Sequence, residues 1–365
     1  RLIGNYIQTT ARQAGKDRVN LYQNIQDDKA RWENYYVTRM STLTEIDKMY
    51  ANLSTEEQAK YKIYVEAGKI LKAYNTAIAT DFFGNMPYSE AFTARNVMYG
   101  GSVIFRPKYD TQKDIYYAIL DDLKSAAAYF QTATSNDGFN QQDIVYQGNC
   151  NGWYKFANSL RLRYAMRISN VDPDKAKQVL AELSLDQLIT TNADNTYIKT
   201  DNQSTAPDGI WRAMRESHSK AQSYYMYPPE FTVNLLKEAT DPRLVVFYQP
   251  ATDDEGDVYE GSTEILGYPS SADEAIKLVN GPDGTRLFEI YGCLNTVTFR
   301  KNFKLPVGIG MTAAEVYFCL AEAAQRGLKS GNAEEYYNKG VILSIQNYYE
   351  YYKNSDAPKG KDANI

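Results

Sequence analysis

Apolar positions recur at steps of three and four through the first half of the chain, the spacing of amphipathic helices. Leu71, Tyr74, Ile78 and Phe82 form one such stripe. Ahead of it, Ser54 with Glu57 three positions on is a capping box that opens the helix. Gly84 and Pro87 close it. Thr111 with Asp114 starts a second helix, whose stripe is Tyr116, Ile119, Leu123, Ala127 and Phe130. A third begins near Trp153 and sets Phe156, Leu160 and Tyr164 on one face, with Arg161, Arg163 and Arg167 interleaved. Asp172-Pro173 is an N-cap and first-turn pair that opens a fourth. Helical signals return late. Thr312-Ala313-Ala314-Glu315 is again a capping-box pattern, and Asn332 caps a last helix from Ala333 towards Tyr352.

Between Thr190 and Leu305 this periodicity dissolves into short apolar pieces separated by turn residues, such as Ala206-Pro207-Asp208-Gly209 and Gly281-Pro282-Asp283-Gly284. Such a stretch is too long for a plain loop in a compact domain. It should carry its own short strands and loops, and ligand contact is expected there. The length of 365 residues suits one large domain or two ordinary ones. A helix-pair scaffold covers residues 1–190 and 311–352, and an irregular, ligand-facing insertion covers residues 191–310.

Composition narrows the chemistry. The longest apolar runs, at residues 115–120 and 316–321, fall far short of the roughly 20 residues that cross a bilayer. A net charge of −5 and no Lys/Arg-rich cluster leave no electrostatic footprint for nucleic acid. One histidine, His218, excludes multi-histidine metal sites and speaks against a Ser-His-Asp triad. Cys150, Cys293 and Cys319 form no C-x-x-C pair and read as small hydrophobes rather than bridges. The chain opens on Arg1, which reads as a processed or trimmed start. Tyrosine is abundant, at 32 against 13 phenylalanines. Its flat face and polar tip suit half-wet surfaces, sugar-gripping ones among them.

Four segments carry a resemblance. The first joins Ala73-Tyr74 to Asp81-Phe82-Phe83-Gly84-Asn85-Met86-Pro87-Tyr88-Ser89-Glu90-Ala91. The second runs from Tyr109-Asp110 through Ile115-Tyr116 to Leu120-Asp121-Asp122-Leu123. In the third, the most specific, Asp143 and Tyr146-Gln147-Gly148-Asn149 precede Trp153-Tyr154-Lys155-Phe156-Ala157-Asn158-Ser159-Leu160-Arg161-Leu162-Arg163. The fourth is Asp241-Pro242-Arg243-Leu244, followed by Ala314-Glu315-Val316 and Ala321-Glu322-Ala323. Together they resemble the SusD/RagB-like family, nutrient-binding lipoproteins of glycan-utilising Gram-negative bacteria.

The resemblance implies a mainly α fold in a single domain over residues 1–365, a tetratricopeptide-like helix-pair scaffold with an irregular insertion carrying the binding face. It also implies non-catalytic, outward-facing capture of an oligosaccharide, sometimes a peptide, at the cell outer membrane. The implied partner is a TonB-dependent SusC-like transporter, with anchoring through a lipidated N-terminal cysteine that this chain lacks. The family's usual C-terminal stretch is also missing, so the chain reads as trimmed. No cofactor is implied.

The shared motifs themselves read as structural. Gly84 and Pro87 fix a helix exit, Trp153 reads as a core anchor, and Arg161, Arg163 and Arg167 as partners of scaffold carboxylates. A sugar-binding face wants flat aromatics flanked by hydrogen-bonding side chains. The best match is Trp211-Arg212 with His218 and then Tyr224, Tyr225 and Tyr227 before Pro228-Pro229. Its position agrees with where the family carries ligand-stacking aromatics. Tyr99 and Phe105, in the Gly-rich stretch after Met98, are further candidates, as are Tyr259 and Tyr268. Asp253, Asp254 and Asp257 are close enough in sequence to hold calcium but lack the spacing of a known loop, which favours a solvated turn. Two rivals remain at this level. With 45 acidic residues a glycoside-hydrolase carboxylate pair is open, and the helices alone would suit a helical-repeat adaptor.

Overall fold

The computed structural model describes residues 11–12, 28–198, 226–252, 262–269, 291–300, 302, 304–306 and 308–355. The fold is mainly α. In chain order, α1 (Asp28–Glu33) continues through a π-helical turn at Asn34–Arg39 into α2 (Met40–Ala51). There follow α3 (Thr55–Phe83), α4 (Gln112–Phe130), α5 (Asp137–Gln142), α6 (Cys150–Ile168) and α7 (Pro173–Ala181). Then come α8 (Glu230–Glu238), α9 (Arg243–Phe247), α10 (Ala313–Gln325) and α11 (Ala333–Asn354).

The chain divides into two compact units, one of Gln26–Tyr197 with Ile309–Leu343 and one of Arg1–Ile25, Ile198–Gly308 and Ser344–Ile365. The sequence pattern set the insertion at 191–310; the divisions fall at 197/198 and 308/309, and a further one cuts α11 after Leu343.

In the helical unit, α3 forms because its cap is complete. The Ser54 Oγ accepts from the Glu57 N–H at 3.3 Å and Glu57 Oε2 takes the Ser54 N–H at 3.0 Å. Gly84, at φ +68°, ends it, in a conformation that costs glycine little. The face it buries differs from the expected stripe. Ile63, Ala67, Ile70, Ala73 and Ala77 are enclosed, whereas Ile78 and Phe82 are 39% and 49% exposed. Helices α2 and α4 pack on α3, and the alanines at 67, 73 and 77 on its buried face let the helix axes approach. Phe82 instead lies under the Arg31 guanidinium, 4.4 Å from the ring centre.

The α4 stripe is buried as its spacing predicts, Tyr116, Ile119, Leu123, Ala127 and Phe130 all lying in the core. Helix α4 packs chiefly on α3 and α6, and α6 on α7 and α10. Trp153 is 3% exposed and stacks with Phe130 at 6.0 Å, so it is the core anchor that its motif suggested. Thr312 caps α10 by accepting the Glu315 N–H at 3.3 Å. The reciprocal half of the expected capping box is replaced: the Glu315 carboxylate turns to Arg163.

Strand content is small. Antiparallel pairs join β2 (Met86–Pro87) to β3 (Tyr109–Asp110) in the helical unit. In the other unit β1 (Ala11–Arg12) pairs with β4 (Met226–Tyr227), and β5 (Tyr248–Gln249) with β6 (Cys293–Leu294). Val233, Leu236, Tyr248, Ile265 and Leu294 make one core cluster among the described residues of this second unit. None of the three cysteines is held in a disulfide. Burial raises the Cys150 thiol and pushes that of Cys319 up to about 12, which keeps both protonated and unreactive at neutral pH.

Candidate functional site

Three arginines on α6 alternate with its apolar face, and each meets a carboxylate from another element. Arg161 pairs with Glu182 and also donates to Asn158 Oδ1 at 3.0 Å. Arg163 makes a two-pronged contact with Glu315, Nε to Oε1 at 2.5 Å and Nη2 to Oε2 at 2.6 Å. It also donates to the Gly310 carbonyl at 2.9 Å. Arg167 Nη2 lies 3.0 Å from Asp81 Oδ2, and the Tyr116 hydroxyl donates to Oδ1 of the same carboxylate at 2.7 Å. Burial, then that bond to Asp81, raises the Tyr116 phenol, so it stays a donor.

Of these, Asp81, Tyr116, Arg163 and Arg167 line a cleft of ≈ 330 Å³ with Glu322 and Arg326. Arg326 is held by Glu322 at 2.6 Å and by Asn170 Oδ1 at 2.7 Å. Every guanidinium here already has a carboxylate partner, so the cleft works as a brace between α3, α6 and α10.

The aromatic candidates separate. Trp211, Arg212, His218, Tyr224, Tyr225 and Tyr259 lie outside the described residues, as do Asp253, Asp254 and Asp257. Tyr227 departs from its expected role. Its ring is 1% exposed and stacked on Tyr268, which is itself fully buried, with centroids 4.7 Å apart. Each ring occupies the face that the other would offer a sugar, so both are packing residues. The Tyr291 ring closes the group edge-on, 5.1 Å from Tyr268.

Tyr99 and Phe105 are accessible. Phe105 is 90% exposed and Tyr99 36%. Tyr99 ends a 3₁₀ turn, Ala94–Tyr99, and its hydroxyl donates to Glu45 Oε1 on α2 at 2.6 Å. That bond raises the Tyr99 phenol. Arg95, on the same turn, sits with Nη1 3.8 Å from Glu45 Oε2. Ser41, Thr42, Ile46 and Met49 complete a shallow cleft of ≈ 220 Å³ around this pair. Sequence reasoning singled out Tyr99 but missed Glu45 and Arg95. Only the return of the turn onto α2 brings them together.

Among the described residues no three or more His, Cys, Asp and Glu side chains gather as a metal group. No described helix is long and apolar enough to cross a membrane.

The model of one protein family, SusD-like, described as "Starch-binding associating with outer membrane", matches residues 1–360. The chain belongs to the SusD-like family. Solved SusD-like structures share its tetratricopeptide-like helical fold. One, from Bacteroides thetaiotaomicron, is 21% identical over 94% of this chain, with a TM-score of 0.72. A SusD homologue from Bacteroides vulgatus is 25% identical over 95%, with a TM-score of 0.71. A chitin-binding SusD homologue from Flavobacterium johnsoniae is 23% identical over 94%, with a TM-score of 0.70. This SusD-like chain spans 65%, 64% and 64% of those three chains, under two thirds of each. No curated protein matches it.

Within the SusD-like frame, the motif residues that the structure describes are architectural. Gly84, Trp153 and the three arginines of α6 hold the scaffold, and binding chemistry has to come from elsewhere.

Proposed function

We propose that the protein captures an oligosaccharide at the outer face of the outer membrane, without catalysis, and passes it to a TonB-dependent SusC-like transporter. The observation that carries this reading is the family match over residues 1–360, whose description is starch-binding and outer-membrane association. A chitin-binding relative of the same fold gives it further support. In this reading Trp211, Arg212, Tyr224 and Tyr225 form the principal contact, with flat rings for the C–H faces of a sugar and a guanidinium for its hydroxyls. Tyr227 lies directly after them and, stacked on Tyr268, would serve as their footing. An N-terminal lipid would hold the chain at the membrane.

The test is a binding screen of the purified chain against an array of neutral and charged oligosaccharides and oligopeptides, with each hit checked for turnover. Selective sugar binding, with the ligand recovered intact, is the expected result. Peptide-only hits would move the protein to peptide capture, and cleavage of a bound sugar would overturn the non-catalytic reading.

A further inference from the structure

We infer that the cleft between α2 and the Ala94–Tyr99 turn is a subsite for one ring of a neutral sugar chain, in which Glu45 and Arg95 grip neighbouring hydroxyls and Phe105 supplies a stacking face. The inference rests on the capture reading above and adds to it a site of its own.

The argument begins with Glu45. One of its oxygens is taken by the Tyr99 hydroxyl at 2.6 Å. The other, Oε2, is shut off from solvent and accepts no hydrogen bond. Arg95 Nη1 stands 3.8 Å from it, beyond hydrogen-bond length. A buried carboxylate oxygen without a donor is costly, and a ligand hydroxyl would satisfy it. The Arg95 side chain is 65% exposed and can swing aside to admit one. With the Arg95 side chain moved aside, one hydroxyl can donate to Oε2 while its neighbour accepts from the guanidinium. Adjacent hydroxyls of that kind are what a sugar ring carries.

Charge and shape select among ligands. Glu45 and Arg95 carry opposite charges, so the pair as a whole has no net charge to select an anion or a cation. Ile46 and Met49 give an apolar floor for a C–H face. The space, ≈ 220 Å³, lies below the roughly 300–1,000 Å³ that encloses a drug-sized ligand, which suits a single ring of a longer chain. Around it the turn leaves Val97 and Met98 exposed at 62% and 71%. The Ile104 N–H, bonded to Thr93 Oγ1 at 2.9 Å, pins the chain next to Phe105 beside the start of the turn that bears Arg95. An aromatic ring 90% open to water contributes nothing to packing here and leaves both faces free. The larger cleft on α6 offers no comparable gap, because its guanidiniums are already held.

The experiment is calorimetric titration of the full chain with the neutral oligosaccharides of the array, maltoheptaose and chitohexaose among them. It is repeated for Phe105→Ala, Arg95→Met, Glu45→Gln and Trp211→Ala. Each of the first three is expected to weaken sugar binding about ten-fold. Phe105→Ala should leave the melting temperature unchanged, which separates lost binding from lost folding. If Phe105→Ala and Arg95→Met bind like the parent while Trp211→Ala does not, the subsite is wrong and sugar capture stands. If the parent binds no neutral oligosaccharide at all, capture fails and the subsite falls with it.

Discussion

The indole N–H of Trp153 donates to Asp143 Oδ2 at 2.8 Å, in the interior of the helical unit. The same carboxylate receives the backbone N–H of Gly148 at 3.0 Å and, through Oδ1, those of Val145 and Tyr146 at 2.9 and 3.0 Å. One buried anion thereby folds the loop ahead of α6 and fixes the ring that anchors the core. Trp153→Phe keeps most of the apolar area and removes one donor from this anion. The expected loss is about 1–3 kcal/mol of stability, read from denaturant unfolding. A variant as stable as the parent would show that the ring alone matters.

Gly148 sits in the same loop at φ +82°, next to Gln147 at φ +54°. A Cβ at Gly148 would stand 1.9 Å from Asn140 Oδ1 and 2.9 Å from Ser135 Oγ. Gly148→Ala should therefore cost about 1–3 kcal/mol, from left-handed backbone strain and displacement of Asn140. Unfolding of the purified variant measures it, and an unchanged midpoint would contradict the turn geometry.

Asp241 predicts a pH dependence in the second unit. It accepts from Arg243 Nε at 3.0 Å and Nη2 at 2.5 Å, and from the Arg243 backbone N–H at 2.9 Å. The guanidinium bonds first, against a smaller effect of burial, hold its carboxyl below the usual 3.8. A folded-state pKa below the unfolded one gives stability that is complete at neutral pH. That stability is lost as the pH falls below about 4. Melting curves of the parent and Asp241→Asn should converge as the pH is lowered through that range. Curves that stay parallel from pH 7 to pH 3 would remove the linkage.

Trp211→Ala and Tyr225→Ala should each weaken oligosaccharide binding by about 1–3 kcal/mol with the fold retained. Affinity measured beside circular dichroism decides it, and unchanged affinity would move the principal contact elsewhere.

What the sequence made legible follows the range over which each interaction acts. Helix starts at Ser54, Thr111 and Asp172 were readable because a cap is settled within three residues. That the α6 arginines would find carboxylates was readable from their spacing. Which carboxylates was not, since Glu315 lies 152 positions from Arg163. The α3 stripe was misread because alanine and threonine look inert in a hydrophobicity pattern, though close approach of helices depends on them. Tyr227 was misread for a related reason: a run of tyrosines before two prolines does not reveal which ring turns inward. Glu45 carries no signal in sequence, and its interest arises from a tyrosine 54 residues away.

Within the helical unit, the Thr196 N–H donates to the Met311 carbonyl at 2.9 Å, and the Gly310 N–H donates to the Thr196 carbonyl at 2.9 Å. The chain therefore departs and returns through one clasp, whatever lies between. Closing a loop across such a clasp grows only logarithmically harder with length, so doubling the excursion costs about 0.6 kcal/mol. That excursion can therefore be lengthened, shortened or exchanged at little cost while the helical unit keeps the same hydrogen bonds.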